Sequence, residues 1–119
     1  MSLTLTAIPA IPLIQAGDDL APILLQALHA AGVALQDGDV LVLAQKIVSK
    51  AEGRWVNLTG VQPSAQALEL AARIEKDPRL LELVLQESHA VLRMRPGTII
   101  VEHKLGFICA NAGIDHSNV

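Results

Sequence analysis

The spacing of apolar positions changes character several times along the chain. Leu3, Leu5 and Ala7 alternate with Ser and Thr, a period of two that predicts a half-buried strand. Residues 8–14 read IPAIPLI. Two prolines in that run exclude a helix and a central strand, leaving a stiff, extended connector. Such an apolar wall can pack against a flat ring as well as line a core.

From Leu20 the period lengthens. Leu20, Ile23, Leu24, Ala27, Leu28 and Ala31 fall on one helical face, with His29 on the polar side. Asp19 is placed to cap this helix and Pro22 lies in its first turn, where a missing N–H does no harm. Gly32 is a natural stop, so the pattern predicts a helix over residues 19–31.

Asp37-Gly38-Asp39 is a turn by composition, and residues 40–44 form a short apolar run read as a buried strand. Residues 55–58 suggest a further short strand, with Thr59-Gly60 turning it. A second helix is predicted over residues 64–76, capped by Ser64 and burying Ala67, Leu68, Ala71, Ala72 and Ile74. A third is predicted over residues 78–88, with Asp77 as cap, Pro78 at its first position and Leu81, Val84 and Leu85 buried. Glu82, Gln86 and Glu87 then face water. Residues 91–94, 98–102 and 107–110 read as strands, separated by turns at 95–97 and 103–106.

These elements predict an α/β fold with a mixed sheet and about three helices. Val40, Val42, Ile99 and Ile100 are expected in its core. The length of 119 residues fits a single domain. With 51% apolar residues a core can form, and with only Trp55 and Phe107 aromatic it must be aliphatic. No apolar run approaches the roughly 18 residues of a membrane span, and the N-terminus lacks the basic region of a signal peptide. Cys109 is the single cysteine. A lone cysteine suits a reducing compartment, and a cytoplasmic protein is expected.

The net charge of -3 argues against a nucleic-acid binder. The distribution adds more. All nine Lys and Arg residues lie from Lys46 onward, while Asp18, Asp19, Asp37 and Asp39 precede them. A phosphate-bearing ligand would therefore meet the later part of the chain.

Two polar clusters follow apolar runs, where α/β proteins gather their sites. The first holds Gln45, Lys46, Ser49, Lys50 and Glu52. Lys46 and Lys50 share a face whether the segment is helical or extended. Together they suit a polyanion, although solvated lysines are the commoner meaning of that spacing. The second is NAGIDHSNV, residues 111–119. Asp115 is a hard oxygen ligand of the kind Mg²⁺ prefers, though one carboxylate is not a site. Asn118 carries a donor and an acceptor suited to a sugar or base edge, or to a turn. Cys109 lies inside an apolar run, where a structural role is commoner than a nucleophilic one. Zinc spacing, a P-loop, GxGxxG and GxSxG are all missing.

Several stretches carry a resemblance. They are IPLI, GDDLA at 17–21, DGDVLVLAQKIVSKAEGR at 37–54, PSAQALELA at 63–71, KDPRLLELVLQES at 76–88 and GFICANAGIDHSNV at 106–119. The chain resembles the N-terminal half of the coenzyme F-420-0:L-glutamate (γ-glutamyl) ligase family. That resemblance implies one half of an interlocked two-part ligase fold, a longer parent protein and a homodimer.

It further implies GTP, a divalent metal (Mg²⁺ or Mn²⁺) and K⁺ as requirements. The substrates would be L-glutamate and a deazaflavin phosphodiester acceptor, joined through an acyl phosphate. By the same resemblance Asp115 is a metal ligand and Asn118 a GTP contact. Lys50 meets the phosphates, and Ile11, Pro12, Leu13 and Ile14 line the nucleotide site. Gln45 and Lys46 match a GTP-contacting pair that is often Ser-Thr in relatives. A non-catalytic nucleotide-binding or dimerisation module derived from the family is the competing expectation.

Overall fold

The computed structural model describes residues 1–116, and the chain divides into two compact units, Met1–Trp55 and Val56–Val119. Ser117, Asn118 and Val119 lie outside the described residues.

The first unit is built on two helices, α1 (Leu20–Ala30) and α2 (Gln45–Ala51). The Asp19 side chain caps α1 by accepting the Ala21 N–H at 3.3 Å. Both helices end in the same way. Gly32 takes φ 69° after α1, and its N–H donates to the carbonyl of His29 while Val33 N–H reaches Leu28. Gly53 takes φ 68° after α2, with Gly53 N–H bonded to Lys50 and Arg54 N–H to Ser49. This double closure satisfies carbonyls that a helix end leaves open, and its left-handed residue favours glycine.

The predicted strands of this unit do not form. Residues 3–7 and 40–44 have no strand pairing, and Val40 and Val42 are 81% and 89% exposed rather than buried. A strand exists only when a neighbour receives its N–H and C=O groups, and no such neighbour stands beside these runs among the described residues. Residues 55–58 likewise make no strand, and Leu58–Gly60 is a short 3-10 turn capped by Asn57. The first unit therefore buries little beyond Ile14, Ala27 and Leu28.

The second unit carries the main core. It contains α3 (Ala65–Ile74), α4 (Pro78–Glu87) and three strands, β1 (Ser88–Arg95), β2 (Thr98–His103) and β3 (Ile108–Ala110). Ser64 Oγ accepts the Ala67 N–H at 3.2 Å, and Asp77 Oδ1 accepts the Arg79 N–H at 2.9 Å, as N-caps do. Glu82 on α4 reaches across to the Ser64 N–H at 2.8 Å, so one carboxylate joins the two helices.

The sheet runs β1-β2-β3 and is antiparallel throughout, not mixed. Tight turns permit only antiparallel neighbours, whereas a parallel pair needs a long crossover. Val91 pairs with Val101 and Val101 with Cys109, which puts one row of side chains against the helices. Ile74, Leu81, Val84, Ile99 and Val101 are the largest fully buried side chains. Burying each is worth about 1.5–3 kcal/mol. Ile100 falls on the other face and is half-buried. On α3 the buried stripe is Ala67, Leu70, Ala71 and Ile74, so Leu68 and Ala72 are exposed. That stripe follows the i, i+3, i+4, i+7 rule more strictly than the predicted one.

The β2–β3 turn is tied to α4. His103 Nδ1 accepts the Leu105 N–H at 3.0 Å, which leaves the ring proton on Nε2, 3.3 Å from the Glu87 carboxylate. The His103 ring also stacks on Phe107 with centroids 4.5 Å apart. β3 is thereby fixed just ahead of the second polar cluster. None of the described helices is long and apolar enough to cross a membrane.

Candidate functional site

In the first unit the chain leaves Ile14, turns, and passes beside the end of α2. The turn is set by Asp18, whose Oδ2 accepts the Gln15 N–H at 2.8 Å. Gly17 N–H then donates to the Ala51 carbonyl at 2.9 Å. The turn that follows residues 11–14 is thus joined to the last residue of α2 by a main-chain hydrogen bond. Ile14 is buried and Ile11 half-buried, while Pro12 and Leu13 are exposed. The exposed pair offers the apolar surface that a base could use.

α2 is helical, one of the two conformations that the sequence left open for this segment, and it adds a fourth helix to the fold. Gln45, Lys46 and Lys50 all lie on it. Lys46 and Lys50 are half-buried and four residues apart, so they share one face of α2. Ser49 Oγ donates back to the Lys46 carbonyl at 3.1 Å, a local bond of the kind serine makes inside helices. Ile11, Pro12, Leu13, Ile14, Gln45, Lys46 and Lys50 therefore all belong to the first unit.

Asp115 belongs to the second unit and is exposed. It follows a tight turn, Asn111–Gly113, that packs on β2 and α4. Asn111, Ala112 and Gly113 take φ of 53°, 52° and 75° in succession. Only glycine adopts such values freely, and asparagine tolerates them better than alanine. Ala112 is held there by burial in the core. The Ile114 N–H donates to the Asn111 carbonyl at 2.9 Å and closes the turn.

Among the described residues no three His, Cys, Asp or Glu side chains stand together as a metal-binding group. The turn ahead of Asp115 contains Asn111 Oδ1, a buried oxygen that accepts no hydrogen bond from the described residues. Sequence reading did not single out Asn111. Its signal was the NAG tripeptide, where asparagine and glycine both tolerate left-handed backbone. His116 is exposed next to Asp115, Cys109 is a half-buried free thiol in β3, and Asn118 lies outside the described residues.

The first unit thus carries an apolar loop and a lysine-bearing helix, and the second carries a strained turn just ahead of Asp115. The chain matches the family model for F420-0:Gamma-glutamyl ligase over residues 9–119, and it belongs to that family. It is 46% identical over 119 residues to the coenzyme F420:L-glutamate ligase of Methanothermobacter thermautotrophicus, covering 100% of this chain and 47% of that protein. The ligase of the same name from Methanopyrus kandleri is 41% identical over 98% of this chain and 44% of its own length. That of Archaeoglobus fulgidus is 45% identical over 94% of this chain and 43% of its own. The chain spans about half the length of the curated relatives it matches.

Proposed function

We propose that this chain supplies part of the nucleotide and metal site of a GTP-dependent ligase that adds L-glutamate to the deazaflavin precursor F-420-0. The observation that carries the reading is the Gly17–Ala51 hydrogen bond, which ties the turn following residues 11–14 to the last residue of the helix bearing Gln45, Lys46 and Lys50. The family membership and the names of its relatives support the ligation of glutamate.

In this reading Ile11, Pro12, Leu13 and Ile14 form the wall for the base. Lys50 and Lys46 offset the triphosphate charge, as lysine does at nucleotide phosphates. Gln45 and Asn118 add hydrogen bonds. Asp115 would hold Mg²⁺ or Mn²⁺, which when bound orients the γ-phosphate and neutralises its charge. K⁺ would serve as a further counter-charge.

The chemistry balances in two steps. A carboxylate oxygen of the acceptor attacks the γ-phosphorus, and the bond to the bridging oxygen breaks, releasing GDP. The glutamate amine then attacks the acyl carbon, the carbon–oxygen bond breaks, inorganic phosphate leaves, and the nitrogen loses a proton to give the amide. The whole protein would act in the cytoplasm as a homodimer, with the remaining metal ligands supplied outside this chain.

A second reading is a nucleotide-binding or dimerisation module without activity. It is favoured by the chain spanning about half of its relatives. One experiment separates the two. The full-length protein is given acceptor labelled with ¹⁸O in its carboxylate, together with GTP, Mn²⁺ and glutamate. One ¹⁸O should appear in inorganic phosphate for each amide formed. Amide formation with unlabelled phosphate would refute the acyl phosphate, and GTP binding without product would favour the module.

A further inference from the structure

Two runs of the first unit stand open on every side. Residues 3–7 and 40–43 make no backbone hydrogen bond to any described residue. Their side chains are open as well. Leu3 and Leu5 are 84% and 86% exposed, and Val40 and Val42 are in the same condition. A core of Ile14, Ala27 and Leu28 does little to offset the ordering of residues 1–55, since fixing each backbone residue costs about 1–2 kcal/mol. Apolar segments with free N–H and C=O groups are templates for pairing with another segment.

The two runs differ in the cover they need. Residues 40–44 read VLVLA, apolar at every position, the pattern of a strand covered on both faces. Residues 3–7 read LTLTA, apolar at every second position, the pattern of a strand covered on one face. Pairing with a second copy of this chain would give residues 40–44 one neighbour, a matching run whose own far edge and faces stay open. The relatives hold more. The shared segment makes up 47%, 44% and 43% of three of them, so more than half of each lies outside it.

We propose that residues 3–7 and 40–44 are docking strands for the other half of the full-length protein, which supplies their ladder partners and covers their apolar faces. Residues 40–44 take an inner place in that sheet, and residues 3–7 a place with one solvated face. The pairing also bears on α2. Ala44, the last residue of the run, holds the N-cap position of α2, is extended at φ -66° and ψ 139°, and gives the helix no side-chain cap. No residue of α2 is fully buried. Holding residues 40–44 in a ladder therefore fixes the point from which α2 starts. The inference concerns the assembly of the two halves and does not depend on what α2 binds.

Hydrogen–deuterium exchange of the full-length protein, read by mass spectrometry, tests this without a substitution. Amides of residues 3–7 and 40–44 should exchange at least roughly a hundredfold more slowly than open amides, because ladder amides exchange only when their structural unit opens. Exchange at the rate of open amides overturns the proposal. In the 119-residue chain alone, amides of the paired strand Thr98–His103 should be protected and those of residues 40–44 should not, at any protein concentration. Protection of residues 40–44 that grows with concentration assigns them to a second copy and overturns the choice of partner. Val42→Lys in the full-length protein should remove the protection of residues 40–44 and lower the melting temperature, because a doubly covered strand has no room for a solvated charge. Unchanged protection and melting in that variant would overturn the inner place of residues 40–44 and the proposal with it. If the variant does not fold, the exchange of the parent protein decides alone.

Discussion

The backbone N–H of Gly17 donates to the carbonyl of Ala51 at 2.9 Å, and this bond joins two segments 34 residues apart in sequence. Close by, a Cβ added at Gly53 would stand 3.5 Å from the Ala16 side chain, which is ordinary contact. Space is therefore not what demands glycine at position 53. Its φ of 68° is.

Gly53→Ala should accordingly cost about 1–2 kcal/mol, the usual penalty for an L side chain in the left-handed region. Gly60 lies at no positive φ and meets nothing within 4 Å, so Gly60→Ala should be neutral or slightly stabilising. Urea denaturation of the two variants compares them directly. Equal stability would mean that the turn after α2 tolerates a side chain and that the loop is not held by it.

The two units should respond differently to truncation. Ile99 on β2 is wholly buried in the core that includes residues of α3 and α4, and Ile99→Ala should cost about 2–5 kcal/mol. Val42 is 89% exposed, and Val42→Ala should change stability by less than about 0.5 kcal/mol. A large loss at Val42 in this chain would restore the buried strand that its sequence suggests.

That contrast also marks how far sequence could be read. Helix ends were legible because each cap is local. Asp19, Ser64 and Asp77 each bond an N–H two or three residues on, and Gly32 ends α1 as its conformational freedom allows. The hairpins β1–β2 and β2–β3 were legible for the same reason, their turns being encoded beside them. Residues 3–7 and 40–44 have equally good strand patterns, yet a strand depends on a partner that its own sequence cannot specify. The site follows this division. Lys46 and Lys50 share a face by spacing alone. Asn111 was legible only as one polar residue of the second cluster, because no local pattern announces that its Oδ1 is buried without a hydrogen bond among the described residues.

A pH dependence follows from the cap of α4. Hydrogen bonds from the Arg79 side chain, and then from its backbone N–H, hold the Asp77 carboxyl at about 2 instead of its ordinary 3.8. The folded value lies below the unfolded one, so the stabilisation is complete above the unfolded value and is lost as pH falls through the folded one. Asp77→Asn keeps a good N-cap but removes the charge. Its stability deficit should be steady at neutral pH and should shrink between 3.8 and about 2. The pair is partly exposed, so the deficit is small. Denaturation midpoints across that range check it, and a deficit independent of pH would remove the ion pair from the account.

The last prediction sets Asp115 against Lys50 in the full-length protein. Asp115 is exposed and outside the buried core, so its replacement should leave folding intact. Asp115→Asn keeps the shape and loses the charge that a divalent cation requires. A contact that strengthens as charge moves during phosphoryl transfer is worth about 3 kcal/mol, so ligation should slow by on the order of a hundredfold. Extra GTP should not recover that loss, because the lost contact belongs to the transition state. In the proposed reading Lys50 on α2 instead helps to hold the triphosphate. A charged hydrogen bond is worth about 1.5–3 kcal/mol, so Lys50→Ala should raise the GTP requirement roughly ten- to a hundredfold. In that variant, saturating GTP should restore much of the rate. Steady-state ligation across GTP and Mn²⁺ titrations, with thermal melts of both variants, distinguishes the two patterns. Wild-type turnover by Asp115→Asn at every Mn²⁺ concentration would reduce Asp115 to the polar end of the turn that follows β3.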